Sequence, residues 1–162
     1  MSLLVKNNIG IVDGLNETRY ENAGSATAKG FEIELNHNFS SQLSAFMNYT
    51  YQNPQVSNIN KQVVAVPKQL FRVGIMYNGQ KWTSSLTGEY VSKRYGYEDN
   101  SDVLNGVYGS YDPYFIMNFS IGYKIQPNCE LSLGIRNLLN RNFCNYYYQE
   151  GRTYEVQLNC NF

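Results

Sequence analysis

The sequence predicts an all-β protein, an antiparallel up-and-down meander of about 8 strands. Three observations carry this. The closing stretch, Tyr154-Glu-Val-Gln-Leu-Asn-Cys-Asn-Phe162, alternates apolar and polar residues without a break. The same alternation recurs along the chain, between connections that are alternately short and long. Aromatic residues are in surplus, with Tyr 15, Phe 8 and Trp 1 among 162 residues, yet no apolar run approaches the about 18 residues of a membrane-spanning helix.

Successive side chains of a strand point to opposite faces. Tyr154, Val156, Leu158, Cys160 and Phe162 therefore share one face, and Glu155, Gln157, Asn159 and Asn161 the other. A charge and three amides in sequence make that second face too wet for a packed core. Lipid on the apolar side and a water-filled lumen on the polar side satisfy both sets. Half of each such strand is polar, so a hydrophobic content of 43% suits a barrel wall. The aromatic surplus suits girdles at both membrane interfaces, although a soluble β-domain or a carbohydrate-binding surface would use it too. A net charge of +0 argues against a nucleic-acid partner, which favours a basic face. Met1-Ser-Leu-Leu-Val-Lys6 lacks the basic start and long apolar core of a signal peptide, so an exported chain of this sequence is expected to be mature or cut from something longer.

Taken in order, Leu3 to Ile11 reads as the short end of a strand, and Val12 to Ala28 as a polar segment. In the next strand Phe31, Ile33 and Leu35 alternate with Glu32, Glu34 and Asn36. Ser40-Ser-Gln42 is a tight turn, and Leu43, Ala45, Met47, Tyr49 and Tyr51 line the return strand. Asn53 to Pro67 reads as a long loop. Phe71, Val73, Ile75 and Tyr77 mark a strand that ends on Asn78-Gly79, a strong hairpin signal. Trp82 to Tyr95 returns, with Ser85, Thr87 and Glu89 opposite Trp82, Leu86 and Tyr90. After a second long loop, Gly96 to Pro113, come Phe115, Met117, Phe119, Ile121 and Tyr123, with Asn118 on the other face. Gln126-Pro-Asn128 is a short turn. Cys129, Leu131, Leu133 and Ile135 then alternate with Glu130, Ser132, Gly134 and Arg136. A third long loop, Leu138 to Gly151, leads to the closing strand. Short and long connections alternate as they do in outer-membrane barrels, whose short turns face the periplasm, and in that reading the three long loops are expected to lie outside the cell.

Several stretches together resemble the C-terminal part of a TonB-dependent outer-membrane receptor. They are Tyr20-Glu-Asn-Ala-Gly24 leading to Lys29-Gly-Phe-Glu-Ile-Glu34, then Asn48-Tyr-Thr-Tyr51, Val66-Pro-Lys68, Gly88-Glu-Tyr-Val91 and Asn137-Leu-Leu-Asn140. Gly151-Arg-Thr-Tyr154 ahead of Phe162 completes the set. The resemblance implies a transmembrane barrel of about 22 strands with a plugged lumen, in the bacterial outer membrane. Such a receptor imports a metal chelate (siderophore, haem or cobalamin) or a similar ligand with energy supplied through TonB. Residues 1–162 are then the C-terminal segment of a larger barrel, with the plug domain, the TonB box and the earlier strands upstream. The implied partners are outer-membrane lipid, TonB through that upstream region, the transported small ligand, and the barrel-assembly machinery. Tyr154, Val156, Leu158, Cys160 and Phe162 correspond to the C-terminal assembly signal. No cofactor is implied.

Individual residues are weighed against this frame. Tyr95, Tyr97, Tyr108, Tyr111, Tyr146 and Tyr147 fall in or near the outer loops, where rings can stack on a ligand or serve as an interfacial girdle. His37, the one histidine, sits at a strand end without the signs of a haem pocket. Glu98-Asp-Asn-Ser-Asp102 lacks the spacing of an EF-hand and reads as a solvated loop. Gly151-Arg152 reads as a strand-opening feature that brings a charge to the lumen. With one histidine and no nucleophile, base and orienter set, an enzyme is not expected. A complete small barrel of structural or adhesive role, or a soluble lipocalin-like carrier, are the alternatives; the carrier would turn its apolar face inward. Cys129 and Cys160 lie at equal distances from the last long loop and are expected to be near neighbours, bonded or not. The last strand is expected to be the edge of an open sheet.

Overall fold

The computed structural model describes residues 2–13, 18–56, 61–96, 112–142 and 151–161. Its strands are β1 (Ser2–Asp13), β2 (Thr18–Asn38), β3 (Leu43–Val56), β4 (Lys61–Gln62), β5 (Gln69–Asn78), β6 (Trp82–Val91), β7 (Tyr114–Gln126), β8 (Cys129–Arg136) and β9 (Thr153–Cys160). All pair antiparallel in one sheet of order β1-β2-β3-β5-β6-β7-β8-β9, with the two-residue β4 added to β3. β4 takes up the edge of β3 beyond Tyr51, where the pairing with β5 ends. The path is open, with β1 and β9 as its edges.

The pairing brings the expected residues onto one face. Ile33 opposes Tyr49, which opposes Phe71, then Tyr90 and Phe115. Leu35, Met47, Val73, Gly88 and Met117 form the next row. Ile75, Leu86, Phe119, Ile135 and Tyr154 form another, as do Ile121, Leu133 and Val156. The alternate residues make the polar face, including Glu32, Glu34, Ser85, Thr87, Asn118 and Glu130. Leu133 and Val156 are 51% and 74% exposed, so the apolar side chains cover no protein core.

Local chemistry sets the short turns. The Ser40 hydroxyl accepts hydrogen bonds from the amides of Gln42 and Leu43 (3.1 and 3.0 Å), closing the β2–β3 turn. The Gly79 amide reaches the Trp82 carbonyl at 2.8 Å, so the hairpin expected at Asn78-Gly79 is formed. A row of paired residues that starts beside the first turn, at Asn38 and Ser44, runs through Met76, Ser85 and Ser120 to Gly134, the sixth of the 8 residues of β8. With the short turns at one level, that lag is about one residue per strand. It corresponds to ~3.3 Å along for ~4.8 Å across, a tilt of roughly 35°, within the range of membrane barrels.

Two sequence expectations need correction. Val12–Ala28, read as a polar segment, is mostly strand: β1 pairs with β2 from Ser2↔Lys29 to Asp13↔Thr18. Likewise Asn53–Val56 and Lys61–Gln62 are strand inside the expected loop Asn53–Pro67. At 21 residues, β2 is about twice as long as a membrane crossing requires. Its outer half lies beyond any lipid, needs no apolar face, and so loses the alternation by which strands are recognised.

The two faces should respond differently to charge. Leu133→Arg, on the apolar face at mid-strand, should cost about 2–4 kcal/mol, while Ser132→Arg, one residue away on the polar face, should cost little. Denaturant titration of the complete barrel in lipid vesicles measures both.

Candidate functional site

The polar face of the sheet carries the charges, arranged as cross-strand pairs. Arg72 on β5 meets Glu89 on β6 at 2.6 Å, and Arg136 on β8 meets Glu155 on β9 at 2.7 Å. Both pairs are open to solvent, so water screens them and each stabilises by about 0–1 kcal/mol. Lys124 donates to the Asn78 side chain at 2.9 Å and to the Gly79 carbonyl at 3.0 Å. The hydroxyls of Ser85 and Ser120 are 2.8 Å apart. Thr83 on β6 donates to Glu130 on β8 at 2.9 Å, over the intervening β7. Gly122 makes that crossing possible, because a Cβ there would collide with both the Glu130 carboxylate and the Thr83 hydroxyl. Glu32 and Glu34 have only neutral partners among the described residues, Thr50 at 3.5 Å and Asn36 at 2.8 Å. Phe46 breaks the polar pattern: its ring lies over Gly74, in the space a side chain would fill.

The long connections are braced by a separate set of contacts. Asn137, 5% exposed and at φ 50°, ends β8. Its amide donates to the Asn118 side chain at 3.0 Å, and its own side chain binds the backbone carbonyl and amide of Arg141, both at 2.9 Å. The Asn140 side chain accepts from the Arg152 amide at 3.0 Å, drawing the start of β9 to the end of β8. Asn137 and Asn140 were read from the sequence only as part of a matching motif. The left-handed backbone that asparagine tolerates is the signal that marks them.

Of the candidate ligand-binding tyrosines, Tyr95 is described. Its carbonyl accepts from the Ala65 amide at 2.8 Å, linking the β6–β7 connection to the β4–β5 connection. Lys93 lies 5.5 Å from the centre of its ring, and Arg94 lies 5.7 Å from that of Tyr114. Tyr97, Tyr108, Tyr111, Tyr146 and Tyr147 lie outside the described residues, as do Glu98, Asp99, Asp102, Cys144 and Phe162. Of the closing-strand set, Tyr154, Val156 and Leu158 project from the exposed apolar face, and Cys160 is bonded to Cys129. His37 stands on that face with its ring 4.6 Å from Phe39. Trp82 and Tyr123 pair at 4.8 Å beside the next short turn. Together these rings form an aromatic band along the short-turn edge, the place of an interfacial girdle.

An antiparallel wall with an exposed apolar face, a hydrated polar face and aromatic rings at its edge defines part of a membrane β-barrel. The comparisons narrow the class. The chain matches the model of the TonB dependent receptor-like β-barrel family over residues 3–138, and it belongs to that family. In fold it is similar to the copper transporter OprC, with a TM-score of 0.77, 17% identity, and coverage of 98% of this chain and 26% of that one. The siderophore receptor PiuA from Acinetobacter baumannii gives a TM-score of 0.77 at 22% identity, covering 98% and 25%. A mutant of the ferric enterobactin receptor PfeA from Pseudomonas aeruginosa, in complex with enterobactin, gives 0.76 at 18% identity, covering 99% and 28%. The chain thus spans about a quarter of the length of these structures. No match was found among curated protein sequences. The apolar face is accordingly the lipid-facing one, the polar face lines the lumen, and the protein's place is the bacterial outer membrane.

Asn137→Ala should cost about 1–3 kcal/mol, because it removes two hydrogen bonds to the Arg141 backbone, each worth about 0.5–1.5 kcal/mol. Asn137→Gly removes the same bonds but suits the positive φ, and should be the milder of the two. Thermal unfolding of the barrel, followed by its shift in gel mobility, separates the variants.

Proposed function

We propose that residues 1–162 are the C-terminal segment of an outer-membrane receptor that imports a metal chelate (a siderophore, haem or cobalamin) with energy supplied by TonB. The plug and the earlier strands then belong to the region upstream. The family match over residues 3–138 carries this reading. Supporting it, the proteins that share the fold include a copper transporter, a siderophore receptor and a ferric enterobactin receptor. A largely hydrated face along the strands, with the Arg72–Glu89 and Arg136–Glu155 pairs on it, gives a polar plug a surface to pack on and a small ligand a wet path past it.

In this reading Tyr95, Tyr97, Tyr108, Tyr111, Tyr146 and Tyr147 line the outer approach. Aromatic faces suit catecholate, porphyrin or corrin rings, and Lys93 and Arg94 add positive charge for an anionic chelate. The barrel-assembly machinery would receive the chain through Tyr154, Val156, Leu158, Cys160 and Phe162. The chain's role is binding and passage, with no catalytic step.

Uptake of labelled ferric siderophores, haem and cobalamin by cells carrying the complete receptor tests the proposal. Accumulation of one of them should require both the receptor and TonB; equal uptake without TonB would overturn it. Tyr95→Ala should weaken binding of that ligand about threefold to tenfold while leaving the amount of folded barrel unchanged.

A further inference from the structure

Cys129, which opens β8, is bonded to Cys160 at the end of β9. The two are direct cross-strand partners with Cα atoms 4.1 Å apart. Beside them, the Asn161 amide donates to the Asn128 carbonyl at 2.9 Å, and the Asn128 side chain donates to the Asn161 carbonyl. Asn128 and Asn161 are thus a hydrogen-bonded pair, which makes Cys129 and Cys160 the adjacent narrow pair, where side chains come closest. Both cysteines lie on the lipid-facing side, next to Leu131 and Leu158, at the short-turn end of the hairpin, which faces the periplasm. Cys144, the third cysteine, belongs to the connection at the opposite end.

We propose that Cys129 and Cys160 are a thiol–disulfide exchange site, oxidised by a disulfide-carrying protein of the periplasm before the hairpin enters the membrane, and that the bond fixes the register of the closing strand. The timing follows from the chemistry. The attacking species is a thiolate, a charged group that needs water and an open line of approach. Once β8 and β9 are in the wall, the pair faces the edge of the lipid and a protein donor cannot reach it in line. In the exchange, one cysteine thiolate attacks the donor's disulfide, giving a mixed disulfide and releasing one donor thiol. The second cysteine then displaces the donor. Two cysteine thiols lose two electrons and two protons, and the donor's disulfide becomes a dithiol.

The consequence for register is geometric. Slipping β9 by one residue against β8 would turn Tyr154, Val156 and Leu158 into the lumen and Glu155 and Gln157 into lipid. Before the barrel closes, β9 has β8 as its neighbour in this sheet, so this pairing is what resists the slip at that stage. A bond from Cys129 to Cys160 permits one register, whereas a bond from either to Cys144 would hold the hairpin out of line.

The inference rests on the outer-membrane placement and not on the imported ligand, so uptake assays and the following test fail independently. The complete receptor is pulse-labelled in cells depleted of the barrel-assembly machinery, its free thiols are trapped with N-ethylmaleimide, and non-reduced peptides are analysed by mass spectrometry. The Cys129–Cys160 linked peptide is expected in the unassembled chain; finding it solely in assembled barrels would overturn the timing. In a second arm, removal of the periplasmic disulfide donor should slow the appearance of folded barrel severalfold for the natural chain. It should leave unchanged the already slow C129S/C160S variant. Equal assembly rates for the natural chain and that variant would overturn the register role.

Discussion

Hydrocarbon offers no hydrogen bonds, so each backbone amide and carbonyl that enters it must bring its partner along. Nearly every feature of this sheet follows from that. The strands pair neighbour to neighbour from β1 to β9, with register shifts in the β1–β2 and β7–β8 ladders, and the side chains then divide into two faces because successive residues of the pleat point opposite ways. With the backbone satisfied internally, lipid-facing side chains have only to be apolar, which is why leucine, valine, phenylalanine and tyrosine share that face in no fixed order. Packing in the sense of a folded core is nearly absent: Val91 is the buried hydrophobic residue among the described ones. Specificity lies in pairing and register instead.

The lumen side is organised by a weaker chemistry. Its ion pairs are wet, and their value lies in keeping charge balanced locally rather than in holding the strands together. Contacts that skip a strand add more constraint, because they couple elements the backbone ladder does not join. Glu130 reaching Thr83 over Gly122 ties β6, β7 and β8 into one panel. At the outer end, Asn137 and Asn140 tie the end of β8 both to β7 and to the start of β9.

Strand identity and facing were legible in the sequence wherever lipid imposes alternation, as at Phe31–Leu35, Phe71–Tyr77 or Phe115–Tyr123. Legibility failed where that demand lapses. Beyond the membrane the β1–β2 ladder asks for no apolar face, so Val12–Ala28 read as a polar segment although it is mostly strand. Contacts between strands that are not neighbours, such as Thr83 with Glu130, depend on two registers at once and leave no local trace. Cys129 and Cys160 are the intermediate case: counting back from the loop placed them side by side, but proximity alone could not say that they were joined. Of the tyrosines proposed at the outer approach, Tyr95 has a defined neighbourhood, and that neighbourhood, a cation beside its ring and a carbonyl bracing another loop, was not written in any motif.

The outer ends of the strands do not finish level. β5 leaves β3 at Tyr51, β2 and β3 continue together to Ala26 and Val56, and β1 and β2 run on alone to Asp13 and Thr18. The strand ladders on this side therefore end as a staircase, shortest between β3 and β5 and longest between β1 and β2. A solute drifting sideways across the cell surface from the β1 side meets the long β1–β2 ladder first, as a parapet standing above the shorter pairing of β3 with β5.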